Sequence, residues 1–217
     1  MTLADPVTVF IVDDHEIFRD GLKEALAPAE GIEVIGESDR VHGTTDLIVQ
    51  LEPDVAVIDI RLPDGSGVQL CEELYSLEVD TRSLMFTSST DKEPLYQSIL
   101  AGASGYLLKH TSAKEIVNAI RTVGAGQVVI DPALANFVLE KVRQQDRVDP
   151  NELTAQENRV LELLGEGLSN MQIAERLNLA EQTVKNYVSN LTTKLDLNRT
   201  QAALYSAALR RDKDASG

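Results

Sequence analysis

The sequence predicts two parts: a (βα)5 α/β domain with a parallel five-stranded sheet, then an all-α domain of four helices. Three observations carry this. Short β-branched or apolar runs alternate with helical patterns through residues 1–125, as in a parallel sheet flanked by helices. Beyond residue 150, four helical patterns joined by tight turns leave no room for a βαβ unit. Charge divides the same way: residues 1–150 hold 12 Lys and Arg against 26 Asp and Glu, and residues 151–217 hold 8 against 9.

The strand candidates are Val7–Val12, Ile32–Gly36, Asp54–Asp59, Leu84–Thr87 and Tyr106–Leu108. Helix candidates follow them near Glu16–Ala27, Thr44–Leu51, Gly67–Leu77, Lys92–Ala101 and Ala113–Val123. Asp131–Arg147 reads as a further helix, with Asp131 and Pro132 as cap and first-turn proline, and it runs towards Asp149–Pro150. The expected organisation is a domain over 1–125, a helical linker over 126–150 and a second domain over 151–217. In the second domain, Thr154 and Glu157 fit a capping box. A helix carrying Val160, Leu161, Leu163 and Leu164 then ends at Gly165 and Gly167. Ser169 caps a short helix, Asn170–Leu177. A turn at Asn178–Ala180 leads to a helix over Glu181–Leu195, and the last runs from Thr200 to Arg210.

Composition narrows the function classes. An apolar fraction of 43% with 25% charged residues is that of a soluble globular protein. No apolar run approaches the roughly 20 residues of a membrane span, and Met1–Val7 lacks a secretory pattern. A single cysteine, Cys71, excludes an intrachain disulfide and a Cys-rich metal site, so the expected compartment is the cytoplasm. The net charge of −15 argues superficially against nucleic acid, yet Gln182–Gly217 carries six basic residues against three acidic ones.

Four apolar runs of the first domain end in chemically capable residues: Asp13 and Asp14, Asp59, Thr87, and Lys109. In an open parallel sheet, ligand sites lie beyond the carboxyl ends of the strands, so these groups are expected to converge. Three adjacent carboxylates repel one another. Mg²⁺ relieves that repulsion, because it takes hard oxygen ligands and bridges carboxylates to phosphate. Asp59 is then placed to attack a phosphoryl group as a nucleophile, with Thr87 and Lys109 neutralising the phosphoryl oxygens.

The runs Val-Asp-Asp-His at 12–15, Asp-Ile-Arg-Leu-Pro-Asp-Gly-Ser-Gly at 59–67, Phe-Thr-Ser at 86–88 and Gly-Ala-Ser-Gly-Tyr-Leu-Leu-Lys at 102–109 resemble response-regulator receivers. That resemblance implies a flavodoxin-like receiver fold over residues 7–124. It implies Asp59 as phosphoacceptor, Asp14 and Asp59 as Mg²⁺ ligands, Asp13 holding the metal through water, and the Arg61 carbonyl as a further ligand. Thr87, Lys109 and Tyr106 match the switch hydroxyl, the phosphate-pairing lysine and the reorienting aromatic. His15 and His110 are expected to be non-catalytic. A haloacid-dehalogenase-type phosphohydrolase also uses an Asp nucleophile, but it needs a second Asp two residues on, where Arg61 stands here. The site is therefore expected to trap a phosphoryl group, with at most slow self-dephosphorylation, and not to act as an enzyme.

In the second domain, Val184, Val188, Leu191 and Leu195 recur at helical spacing and should face inward. Gln182, Lys185, Asn186, Ser189 and Thr193 then line the outer face, and no acid occurs from Gln182 to Lys194. Amides, hydroxyls and an ammonium suit base edges and phosphates of a major groove. The runs at 153–157, 166–170, 173–177 and 183–191 resemble the LuxR-type helix-turn-helix. Together the halves resemble the NarL/FixJ family, and within it the actinobacterial dormancy regulators. DNA contacts are thereby expected at Gln182, Thr183, Lys185, Asn186 and Ser189, with Gln182 replacing a family lysine. The implied partners are a sensor histidine kinase, double-stranded DNA and a second copy of the chain joined through the last helix. The alternative is an orphan regulator of the same fold that works without phosphorylation.

Overall fold

A computed structural model describes residues 5–77, 79–88, 92–130 and 153–215. The helix expected over Asp131–Arg147, within the proposed linker 126–150, lies outside the described residues. The chain divides into two compact units, Met1–Ala125 and Gly126–Gly217.

In the first unit, strands β1 (Val7–Val12), β2 (Ile32–Ser38), β3 (Val55–Asp59), β6 (Arg82–Thr87) and β7 (Gly105–Leu108) form one parallel sheet in the order β2-β1-β3-β6-β7. Helices α1 (Glu16–Leu26), α2 (Thr44–Leu51), α3 (Gly67–Ser76), α4 (Lys92–Leu100) and α5 (Ala113–Gly124) provide the crossovers and the last helix. The central strands β1 and β3 are buried along most of their length, which is why they read as unbroken apolar runs. Neighbours β2 and β3 lie on opposite sides of β1, so the chain reverses its winding direction at β1 and β3. A crevice opens there at the carboxyl ends of the strands.

One element was not foreseen. Between β3 and α3 a two-residue hairpin, β4 (Arg61–Leu62) with β5 (Gly65–Ser66), turns the chain back under the end of β3. It brings Gly67 so close that an added Cβ would sit 1.9 Å from the Asp59 carbonyl oxygen. Asp64, in the hairpin turn, accepts hydrogen bonds from the Val41 and His42 N–H groups at 2.8 and 2.9 Å, which ties the two loops together.

In the second unit, α6 (Ala155–Gly165), α7 (Asn170–Leu177), α8 (Glu181–Leu195) and α9 (Arg199–Ala215) pack around Val160, Leu164, Ile173, Val184, Leu191 and Ala202. Thr154 and Ser169 each form a complete capping box, with Glu157 and Gln172 respectively. Asn178 closes α7 in the left-handed conformation at φ 55°, and Leu179 returns its N–H to the Ala174 carbonyl. This short reversal sets α7 against α8 as a helix-turn-helix. The last helix starts at Arg199, one residue before the sequence expectation. The cause is a reciprocal pair, Asn198 N–H to Gln201 Oε1 and Gln201 N–H to Asn198 Oδ1, which caps it. Among the described residues no helix is long and apolar enough to cross a membrane.

Candidate functional site

The crevice gathers the residues expected there. Asp13 and Asp14 follow β1, Asp59 ends β3, Thr87 ends β6, and Lys109 follows β7. Asp13, Asp59 and Thr87 are buried, whereas Asp14 lies at the mouth with its side chain about one-third exposed. The Lys109 ammonium stands 2.5 Å from Asp13 Oδ2 and 2.7 Å from Asp59 Oδ2. The Lys109 N–H bonds the Thr87 carbonyl at 2.7 Å, which holds the lysine beside the hydroxyl-bearing strand end. Tyr106 is buried on β7. Arg61 is exposed, and its N–H reaches Asp59 Oδ1 at 3.4 Å.

Burial, reinforced by the neighbouring Asp13 charge, raises the Asp59 pKa despite the Lys109 ion pair. Burial disfavours the Lys109 ammonium as well, but its contacts to Asp13 and Asp59 outweigh this and raise its pKa. The pocket thus concentrates carboxylate charge that one lysine does not fully relieve. Ligand atoms of Asp13, Asp14, His15 and Asp59 all lie within 4.8 Å of one another, so the cluster could hold a metal ion. His15 lies beside the acids, with Nδ1 2.8 Å from Asp14 Oδ1. Cys71 behaves as expected of a helix residue outside the site: burial pushes its thiol up to about 11.

Two supports on α1 escaped sequence reasoning. The Phe18 ring lies under Lys109, with the ammonium 4.5 Å from its centroid, and packs against Phe86 at 5.1 Å. Arg19 donates from Nη1 to the Asp13 main-chain carbonyl at 2.6 Å. In sequence both are ordinary positions of an amphipathic helix, and only packing distinguishes them.

On α8, Val184, Val188, Leu191 and Leu195 are buried, while Gln182, Lys185, Asn186, Ser189 and Thr193 are exposed and Thr183 is half-buried. Gln182 Nε2 donates to Asn186 Oδ1 at 3.3 Å, one helical turn away. Lys194, counted from sequence among the basic residues of this region, is committed inward. It donates to Glu157 Oε2 at 2.8 Å, across from the Thr154 N–H and hydroxyl on the same carboxylate.

That pair makes a pH prediction. The Lys194 hydrogen bond, then those of Thr154, pull the Glu157 carboxyl from its ordinary 4.5 down to about 2. A depressed folded-state pKa stabilises the fold above the unfolded value and loses that stability as pH falls towards the folded one. Glu157→Gln should therefore lower stability by roughly 1–2 kcal/mol near neutrality, allowing for the partly exposed Lys194. The deficit should shrink steadily below about pH 4.5. Calorimetry of the full chain at several pH values checks this, and a pH-independent deficit would contradict it.

The response regulator receiver domain matches residues 9–121, and the luxR family of bacterial regulatory proteins matches residues 151–206. The chain belongs to the NarL/FixJ family of two-component response regulators, transcription regulators built of a receiver and a LuxR-type DNA-binding domain. It is 45% identical over 210 residues to the transcriptional activator DevR/DosR of Mycobacterium tuberculosis, covering 95% of this chain and 97% of that protein. It is 31% identical over 209 residues to the nitrate/nitrite response regulator NarL of Escherichia coli, covering 94% and 97%. Among solved structures, the response regulator ChrA of a heme-sensing two-component system is 29% identical with a TM-score of 0.53, covering 95% of this chain and 98% of that one.

Proposed function

We propose that this regulator is switched by phosphorylation of Asp59, with Mg²⁺ as cofactor and a sensor histidine kinase as phosphoryl source, and that the switch controls operator binding by α8. The observation that carries the reading is the Asp59 carboxylate: buried at the switch point, 2.7 Å from Lys109, and clustered with Asp13 and Asp14. The three carboxylates of this cluster offer hard oxygen ligands, which suit Mg²⁺ better than softer metals. Asp14 and Asp59 would ligate it directly, Asp13 through water, and the Arg61 carbonyl would complete the protein ligands. The ion supplies charge neutralisation at the phosphoryl oxygens when bound.

The chain's own residues provide the rest. Asp59 attacks the phosphorus, the leaving group departs in line, and Lys109 holds one phosphoryl oxygen. Thr87 takes another, and Tyr106 follows it in reporting the change to the surface. No second acid stands at position 61 to drive turnover, so the site stores the group and is no more than a slow self-phosphatase. A groove of about 470 Å³ beside the pocket is lined by Ile17, Phe18, Leu22, Lys109, Thr111 and Ile116, and a kinase delivering the phosphoryl group would pass along it. Ile17 on its rim is 89% exposed.

The expected organisation is a receiver over 1–125, a linker over 126–150 and a DNA-binding domain over 151–217, working in the cytoplasm. The active form is a homodimer that spans two half-sites. Within one chain, Gln201–Ser206 of α9 are buried.

The test is selection of random duplex DNA by the full chain, with and without acetyl phosphate and Mg²⁺. The expected result is one acid-stabilised, hydroxylamine-labile phosphoryl group per chain and a two-fold symmetric consensus enriched by the phosphorylated protein. The same consensus at equal affinity without phosphorylation would favour the orphan-regulator alternative.

A further inference from the structure

We infer that Arg19 is a positioning residue of the phosphoacceptor pocket, aiming the Asp14 carboxylate at the metal through a hydrogen bond to the Asp13 main chain. The inference rests on the metal site proposed above. Arg19 is on the first turn of α1, its side chain only 14% exposed. A guanidinium is costly to bury unless its donors find acceptors. Here Nη1 is spent on a main-chain carbonyl, that of Asp13, at 2.6 Å. Nε makes no hydrogen bond and lies 3.4 Å from Glu37 Oε2, an oxygen it shares with Lys23 at 2.9 Å. Stability alone would favour a guanidinium paired fully with a carboxylate. This one gives its shortest bond to the peptide that joins the two acids.

The consequence is local and geometric. The Asp13 N–H bonds the Ser38 carbonyl at 3.1 Å, which fixes the near side of the residue to β2. Its carbonyl lies past the end of the β1 ladder, where no strand neighbour holds it. Arg19 supplies that hold, so the plane of the Asp13–Asp14 peptide is set. That plane determines where the Asp14 side chain starts. Asp14 depends on this because its carboxylate is partly exposed, and the His15 ring beside it is itself 69% exposed. Asp13 is positioned independently by burial, by the His15 N–H at 2.9 Å and by Lys109. Arg19 therefore acts on Asp14 more than on Asp13.

Mg²⁺ demands near-ideal octahedral geometry, whereas Ca²⁺ tolerates irregular ligand sets. A residue that aims a ligand should thus affect Mg²⁺ more than Ca²⁺, which simple loss of folding would not do. Lys23 provides the control: it is on the same helix, carries the same charge and shares Glu37, without touching Asp13. Calorimetric titration of the full chain with Mg²⁺ and with Ca²⁺ would compare wild type, Arg19→Met, Lys23→Met and Asp14→Ala.

Arg19→Met is expected to lower Mg²⁺ affinity by about tenfold, the usual scale for losing a support behind a ligand. Its Ca²⁺ affinity should fall clearly less, and Lys23→Met should change Mg²⁺ affinity by less than about twofold. Wild-type Mg²⁺ affinity in Arg19→Met would overturn the inference. So would equal losses for Mg²⁺ and Ca²⁺, or equal losses in Arg19→Met and Lys23→Met. Failure of the wild type to bind Mg²⁺, or an Asp14→Ala variant that binds it like wild type, would instead overturn the proposed metal site itself.

Discussion

Asp59→Asn should take up less than about a hundredth of the phosphoryl label that the wild type takes from acetyl phosphate and Mg²⁺, because the covalent route is gone. The substitution preserves shape: an amide oxygen can still face the Arg61 N–H, which contacts Asp59 Oδ1 at 3.4 Å in the native chain. It removes a buried negative charge whose pKa is already raised by burial, so the fold should tolerate it. What it deletes is the proposed nucleophile and one carboxylate of the acidic cluster together. The other two carboxylates are poor substitutes. Asp13 is buried, with Oδ1 engaged by the His15 N–H and Oδ2 against Lys109. Asp14 is at the mouth beside His15, away from the lysine that would receive the phosphoryl oxygen. Intact-mass measurement after labelling distinguishes the cases. Equal labelling of wild type and Asp59→Asn would move the acceptor elsewhere and remove the basis of the switch.

The second large effect is expected on α8, where Lys185 and Asn186 should weaken DNA binding in different ways when replaced by alanine. A lysine at a phosphate contributes to every sequence alike, so Lys185→Ala should lower operator and scrambled affinities together and reduce the salt slope by about one. Asparagine can bond adenine through both amide atoms, so Asn186→Ala should cost about 1–3 kcal/mol at one base pair and leave the salt slope unchanged. The Gln182 amide occupies Asn186 Oδ1 at 3.3 Å, so Asn186 must exchange this bond for the base when it binds. Gln182 also brings no charge, which leaves more of the phosphate attraction at this end of the helix to Lys185. Titration of phosphorylated protein against both DNAs at several salt concentrations separates the two signatures. Wild-type binding by both folded variants would show that this face does not read the operator.

Much of the fold could be read from local pattern. The expected bounds of β1, α2, α7 and α8 match the structure, since each is either a buried apolar run or an amphipathic helix with evident ends. Other bounds depend on partners distant in sequence. Strand β2 continues through Glu37 and Ser38, beyond its apolar run, because these residues pair with Ile11 and Val12. Strand β6 begins at Arg82 because Arg82 pairs with Val55. The β4–β5 hairpin is too short for any periodicity to register, and its existence depends on the close approach of Gly67 to Asp59.

Strand order alone dictates which groups meet in the crevice. A parallel sheet puts all its strand ends on one edge, so Asp13, Asp59, Thr87 and Lys109 could be assembled by counting strands. Which face of α8 is outward also follows from sequence, because helical periodicity alone separates Val184 and Val188 from Lys185 and Asn186. Tertiary structure alone decided what holds these groups in place. Arg19 on the Asp13 main chain, Phe18 under Lys109 and Glu157 opposite Lys194 join residues from separate elements. Long side chains such as these can turn towards solvent or inward from the same helix position, and the choice depends on which acceptor or ring lies within reach. Local sequence carries no record of that distance; packing creates it.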